Sequence, residues 1–128
     1  MAGSFTDSFE NSVLNYIFND TPLPSGTFEV GLFTSAPTDS SAGTEVITSG
    51  TAYARQAVSS WTTSTAGLVS NTSDINFPTA TGPGWGTIVA IGVFKGTTLI
   101  AHADVTGKQI TAGDTVKIMA GDLDITLD

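Results

Sequence analysis

Chemistry in this chain would have to come from very few side chains. His102 is the only histidine among 128 residues, and there is no cysteine. Thiolate and multi-histidine metal sites are therefore excluded. A Ser/His/Asp triad would have to combine His102 with one of many serines and aspartates, but no Gly-x-Ser-x-Gly elbow is present. On a regular strand His102 would point away from Leu99 and Ala101, as a hydrogen-bonded or surface residue. Asp122, Asp124 and Asp128 could offer oxygens to Ca²⁺, yet the glycine and closing glutamate of a calcium loop are missing. Alternating aspartates on a strand read better as a solvated face that blocks edge-to-edge pairing. Gly82-Pro83-Gly84-Trp85-Gly86 is a turn rather than a phosphate cradle, since no helix pattern with Lys-Ser/Thr follows it.

Other residues suit contacts better than reactions. Arg55 is the sole arginine and is expected to make a charge-assisted bond to a carboxylate, within the subunit or across an interface. Trp61 and Trp85 could stack sugars or anchor a partner, with core packing an equal reading for each. Asn19-Asp20-Thr21 and Asn71-Thr72-Ser73 match the glycosylation sequon, but no secretory signal is visible, so both are chance matches. No catalytic, metal or cofactor residue is assigned, and no enzyme is expected.

The bulk composition narrows the partners. The net charge is −8, and the cationic side chains are Arg55, Lys95, Lys108 and Lys117 alone. No basic footprint exists to neutralise phosphates, which excludes nucleic acid, and the same deficit argues against anionic membranes. With 40% hydrophobic and 12% charged residues, the chain can bury a core as one domain spanning 1–128.

The positioning elements are mostly strands. Residues 4–19 are predicted as a helix, capped by Ser4 with Asp7, with Phe5, Phe9, Val13, Tyr16 and Ile17 on a face that must dock to be stable. Asn19 to Gly26 then stops it. Residues 27–128 form the β domain. Strands are expected at 27–34, 53–59, 74–77, 87–94, 98–104, 109–110 and 115–119, with 61–63 and 68–70 pairing as a hairpin. Residues 35–50 form a long loop, with a short strand at 45–47. Turns are expected at 79–84, 106–108 and 112–114. The last strand carries Leu123, Ile125 and Leu127 on one face. The fold class is mainly β: an antiparallel β-sandwich or barrel of about eight short strands with one N-terminal α-helix.

Six segments in order carry a resemblance: Val30-Gly31-Leu32-Phe33-Thr34-Ser35-Ala36-Pro37, Tyr53-Ala54-Arg55-Gln56, Asn76-Phe77-Pro78, Trp85-Gly86-Thr87-Ile88, Ile91-Gly92-Val93-Phe94 and Ile125-Thr126-Leu127-Asp128. Together they resemble a family of small bacteriophage virion proteins labelled as tail-fibre or capsid-decoration proteins. The resemblance implies a non-enzymatic structural role in the virion of a protein made in the host cytoplasm. A compact acidic domain without coiled-coil heptads or a shaft suits a cement protein on the outer capsid surface. Its partners would be the major capsid protein and itself, a homotrimer being one arrangement. Phe5, Phe9, Arg55 and Trp85 are the candidate interface residues, on the N-terminal segment and the β domain, with the 35–50 loop and the 79–86 turn as further contacts. The alternatives are a tail component (fibre, baseplate or adaptor module) and a carbohydrate-binding β-sandwich using Trp61 or Trp85.

Overall fold

Three long strands form the frame in the computed structural model, which describes residues 3–127. They are β2 (Phe28–Ser35), β7 (Gly86–Lys95) and β8 (Thr98–Ile110). All three are rich in β-branched residues, β2 and β7 add phenylalanines, and Gly31 and Gly92 let neighbouring side chains close over the sheet. β7 is central, antiparallel to β2 on one side and to β8 on the other. β1 (Gly3–Phe5) pairs with the far edge of β8, while β3 (Thr44–Glu45) and β4 (Gln56–Ala57) both pair with the outer edge of β2. The result is one six-stranded antiparallel sheet.

A second layer covers one face of this sheet. It contains two ribbons: β5 (Leu68–Ser70) with β10 (Asp124–Thr126), and β6 (Ile75–Asn76) with β9 (Lys117–Ile118). The main core lies between the layers, where Val30, Leu32, Ile91 and Val93 from the sheet meet Ile75, Phe77 and Leu123 from the cover. A smaller cluster of Phe33, Ala90 and Phe94 lies on the opposite face of the sheet. β2 and β7 are thus buried on both faces, which is why they read as near-continuous apolar runs. The expected mainly-β antiparallel class with one helix holds, although the ladder is concentrated in three strands rather than spread over eight. Residues 61–63 and 68–70 approach each other as expected, through bridges Trp61–Asn71 and Thr65–Leu68.

The helix begins later than its sequence suggests. α1 spans Asp7–Asn19, and its N-cap is Thr6, whose hydroxyl accepts from the Phe9 amide. Ser4 and Phe5 belong to β1 instead, because β8 offers an open edge and strand pairing there satisfies their backbone. Asp20, in the left-handed region at φ 54°, ends the helix by donating its N–H to the Asn15 carbonyl. Docking also differs: no residue of α1 is buried, and Leu14, Ile17 and Phe18 are 54%, 59% and 77% exposed. No helix among the described residues is long and apolar enough to cross a membrane.

Three further expectations are corrected. β8 runs through 106–108 without turning. Ile88 faces Lys108 and Ala90 faces Asp104, so three residues of β8 lie opposite the single residue Val89 as a bulge. The 53–59 strand shrinks to Gln56–Ala57, since Tyr53 turns inward and Arg55 reaches over the sheet. Leu127 is 64% exposed, so the apolar face of the last strand consists of Leu123 and Ile125. Asp128 lies outside the described residues.

Candidate functional site

The densest polar constellation sits on the outer edge of β2. β4 covers Glu29 and Val30, and β3 begins opposite Phe33; between them the Leu32 carbonyl accepts from the Val46 amide, but the Leu32 N–H has no strand partner. The Leu32 amide donates instead to the Tyr53 hydroxyl at 2.9 Å, and that hydroxyl donates to Glu45 Oε2. Arg55 grips the same carboxylate through Nη2 to Oε1 at 2.8 Å and Nε to Oε2 at 3.0 Å. Its guanidinium lies 3.5 Å from the centre of the Phe94 ring. Gly31 makes room for this stack: a Cβ there would sit 2.7 Å from Glu45 Oε2 and 3.1 Å from both the Phe94 ring and the Tyr53 oxygen. Burial, reinforced by the hydrogen bond to Glu45, pushes the Tyr53 phenol far above its ordinary range, so it remains a donor. Hydrogen bonding to Glu45 raises the Arg55 guanidinium further. Every member of the network is bonded to another member or to the backbone of β2. Its chemistry is structural, and the carboxylate that Arg55 pairs with lies within the subunit.

Ser4, Asp39 and His102 meet on the opposite edge of the sheet. His102 Nε2 lies 2.8 Å from Asp39 Oδ1, and the Ser4 hydroxyl donates to that same oxygen. Ser4 Oγ is 3.4 Å from Nε2. A triad requires the imidazole to link serine and aspartate through different nitrogens. Here one carboxylate oxygen takes both groups, and Nε2 faces the aspartate. The Asp39 carboxyl is held below its usual range by Ser4 first and His102 second. The Asp39 carbonyl accepts from the Asp7 amide, so this cluster fastens the loop after β2 onto the junction of β1 and α1. A second bulge in β8, where Val93 faces Ala101 and Phe94 faces Leu99, brings Leu99 onto the His102 face, contrary to the regular-strand reading.

The aromatic candidates separate. Trp85 is 3% exposed, packs edge-on against Tyr53 at 5.4 Å and donates its indole N–H to the Thr51 carbonyl at 2.7 Å. Burial thus removes it from the candidate interface. Trp61 is half-buried with its ring 5.7 Å from Phe28, and its indole N–H is buried without a partner. Neither indole is set out as a sugar platform. Phe5 and Phe9 are half-buried, 5.2 Å apart, and pack against the main core. Asn71, from the second sequon, is 1% exposed. Its Nδ2 donates to the carbonyls of Ser73 and Met119, and its Oδ1 accepts from the Leu123 amide. Asp124 accepts from the Ser70 hydroxyl, and no group of three or more metal-ligating acids or histidines occurs among the described residues.

Residues 4–126 match the family described as Podophage GP4 fiber I protein gp80. The chain belongs to this family. It is a bacteriophage structural protein of a fibre family, and the virion is its location. No curated protein matches the chain. Membership in the fibre family directs attention from pockets to surfaces, and two surface features were not singled out from the sequence. One is the exposed end of α1, with Leu14, Ile17 and Phe18. Its signal was Leu14 and Phe18, apolar residues four apart that lie between the Phe9–Val13 face and the polar stripe of Asn11, Asn15 and Asn19. The other is a groove of about 390 Å³ floored by Ile88, Ile91 and Ile118 beside the bulge of β8. It arises from long-range pairing and left no local signal.

Proposed function

We propose that this protein is a non-enzymatic component of the phage tail, acting as a compact module of a fibre. The match to the fibre family across 4–126 carries this reading, because it spans the whole folded unit rather than one motif. The same match weighs the tail alternative above a cement role on the major capsid protein. The wiring of Ser4, Asp39 and His102 around one carboxylate oxygen supports a role without catalysis. The buried Trp85 and the engaged Trp61 remove the motive for a sugar-binding reading.

Quantitative mass spectrometry and gold labelling of purified virions test the proposal. The expected result is dozens of copies or fewer, with label confined to the tail. Hundreds of copies spread over the capsid would overturn it in favour of cement.

A further inference from the structure

We infer that copies of this chain join head to tail, the exposed end of α1 in one copy seating in the β8 groove of the next. Glu10, Leu14, Ile17 and Phe18 occur at i, i+4, i+7 and i+8, forming a stripe with one carboxylate followed by three apolar anchors. All four are exposed. That is the pattern of a helix made to lie in an apolar groove.

The groove has the complementary make-up. Ile88, Ile91, Val116 and Ile118 line it, with the exposed side chains of Val105 and Lys108 at its rim. Among the described residues Arg55, His102 and Lys117 are paired with carboxylates, whereas Lys108 forms no salt bridge. In a chain with a net charge of −8, an ammonium at the mouth of an apolar groove selects an acidic, apolar occupant, which is what α1 presents.

The positions of the two parts make the contact intermolecular. Thr6 hydrogen-bonds the backbone of Leu99 and Ile100, so α1 leaves the sheet at the start of β8. The groove opens at 105–110, near the other end of that strand, and no α1 residue lines it. Two different patches at opposite ends of one strand give a heterologous contact, which builds closed rings or open filaments rather than a two-fold dimer. A compact domain could build length in this way. The inference rests on the fibre reading only for its place in the particle. Association is measured on the purified chain and location on virions, so each can fail alone.

Sedimentation velocity over a concentration series tests it. The wild-type chain should form species larger than a dimer. A Leu14→Asp/Phe18→Asp variant and a Val105→Glu/Lys108→Glu variant should each remain monomeric with unchanged melting, since all four positions are exposed. Mixed together, they should form a heterodimer and nothing larger. Glu10→Lys or Lys108→Glu alone should weaken association about tenfold, and the two reversals combined should restore it. Wild-type chain that stays monomeric to about 100 μM would overturn the inference. So would a groove variant that assembles as well as wild type, which would mean the helices pair with each other.

Discussion

Arg55 shows how one residue can be legible in kind and not in place. Its solitude among so many acids pointed to a carboxylate partner, and Glu45 is that partner. The stack on Phe94 and the need for Gly31 beneath it depend on β2 and β7 lying side by side, which no local pattern reveals. Arg55 and Glu45 side chains are 30% and 21% exposed, so the pair is partly screened. Arg55→Ala should cost about 1–3 kcal/mol, because it strands a half-buried carboxylate beside the Tyr53 hydroxyl. Thermal melting should fall by roughly 5–10 °C. Arg55→Lys should recover only part of this, since an ammonium cannot make the two-point contact. Asn71 was legible only as a sequon, and that reading was set aside; its work is to hold residues 119–123 through both ends of its amide. Asn71→Ala should lower stability by about 3 kcal/mol in denaturant melts, leaving the Leu123 amide and two carbonyls short of partners. Asn71→Asp should do no better, because it turns an acceptor toward the carbonyls of Ser73 and Met119.

Among the elements, those written in local periodicity were easiest to foresee. β2 and β7 appear where the alternation and β-branched content placed them, and α1 ends where Asp20 and Pro22 require. What escaped local reading was competition between elements: the edge of β8 draws Ser4 and Phe5 out of the helix, and strand pairing carries β8 through Gly107. The long loop after β2 is held by contacts that are also nonlocal. Asp39 bonds Ser4 and His102 through its side chain and Asp7 through its carbonyl. Because the folded carboxyl titrates below its ordinary value, its contribution is present above the usual carboxylate range and is lost as pH falls through the lowered value. Asp74 and Asp114, lowered chiefly by the amides of Ala120 and Thr111, lose their contributions in the same direction. The protection factor of the Asp7 amide, taken against its intrinsic exchange rate at each pH, should therefore fall below about pH 4. Asp39→Asn should show fast exchange already at neutral pH, and equal protection in the two proteins at pH 6 would refute this role for the loop.

At the scale of the whole molecule, net charge opposes the assembly that the helix and groove favour. A 128-residue globule has a radius of gyration of about 14 Å, so touching copies sit roughly 36 Å apart between centres. Two bodies of charge −8 at that distance repel by about 7 kcal/mol in unscreened water. Screening reduces this to about 2 kcal/mol at 10 mM salt and to about 0.1 kcal/mol at 150 mM. A single contact between opposite charges at the groove mouth gains at most about 1 kcal/mol in water, and salt weakens it too. The repulsion is the larger of the two, and the apolar anchors do not depend on charge, so their contribution survives screening. Self-association should therefore tighten as salt rises from 10 to 150 mM, by about sixfold to thirtyfold, opposite to the trend for a contact held by ion pairs. Sedimentation at the two salt concentrations reads the sign directly. Tightening would place the driving force on Leu14, Ile17 and Phe18, whereas weakening would place it on Glu10 and Lys108 and predict that Phe18→Ala alone leaves assembly intact.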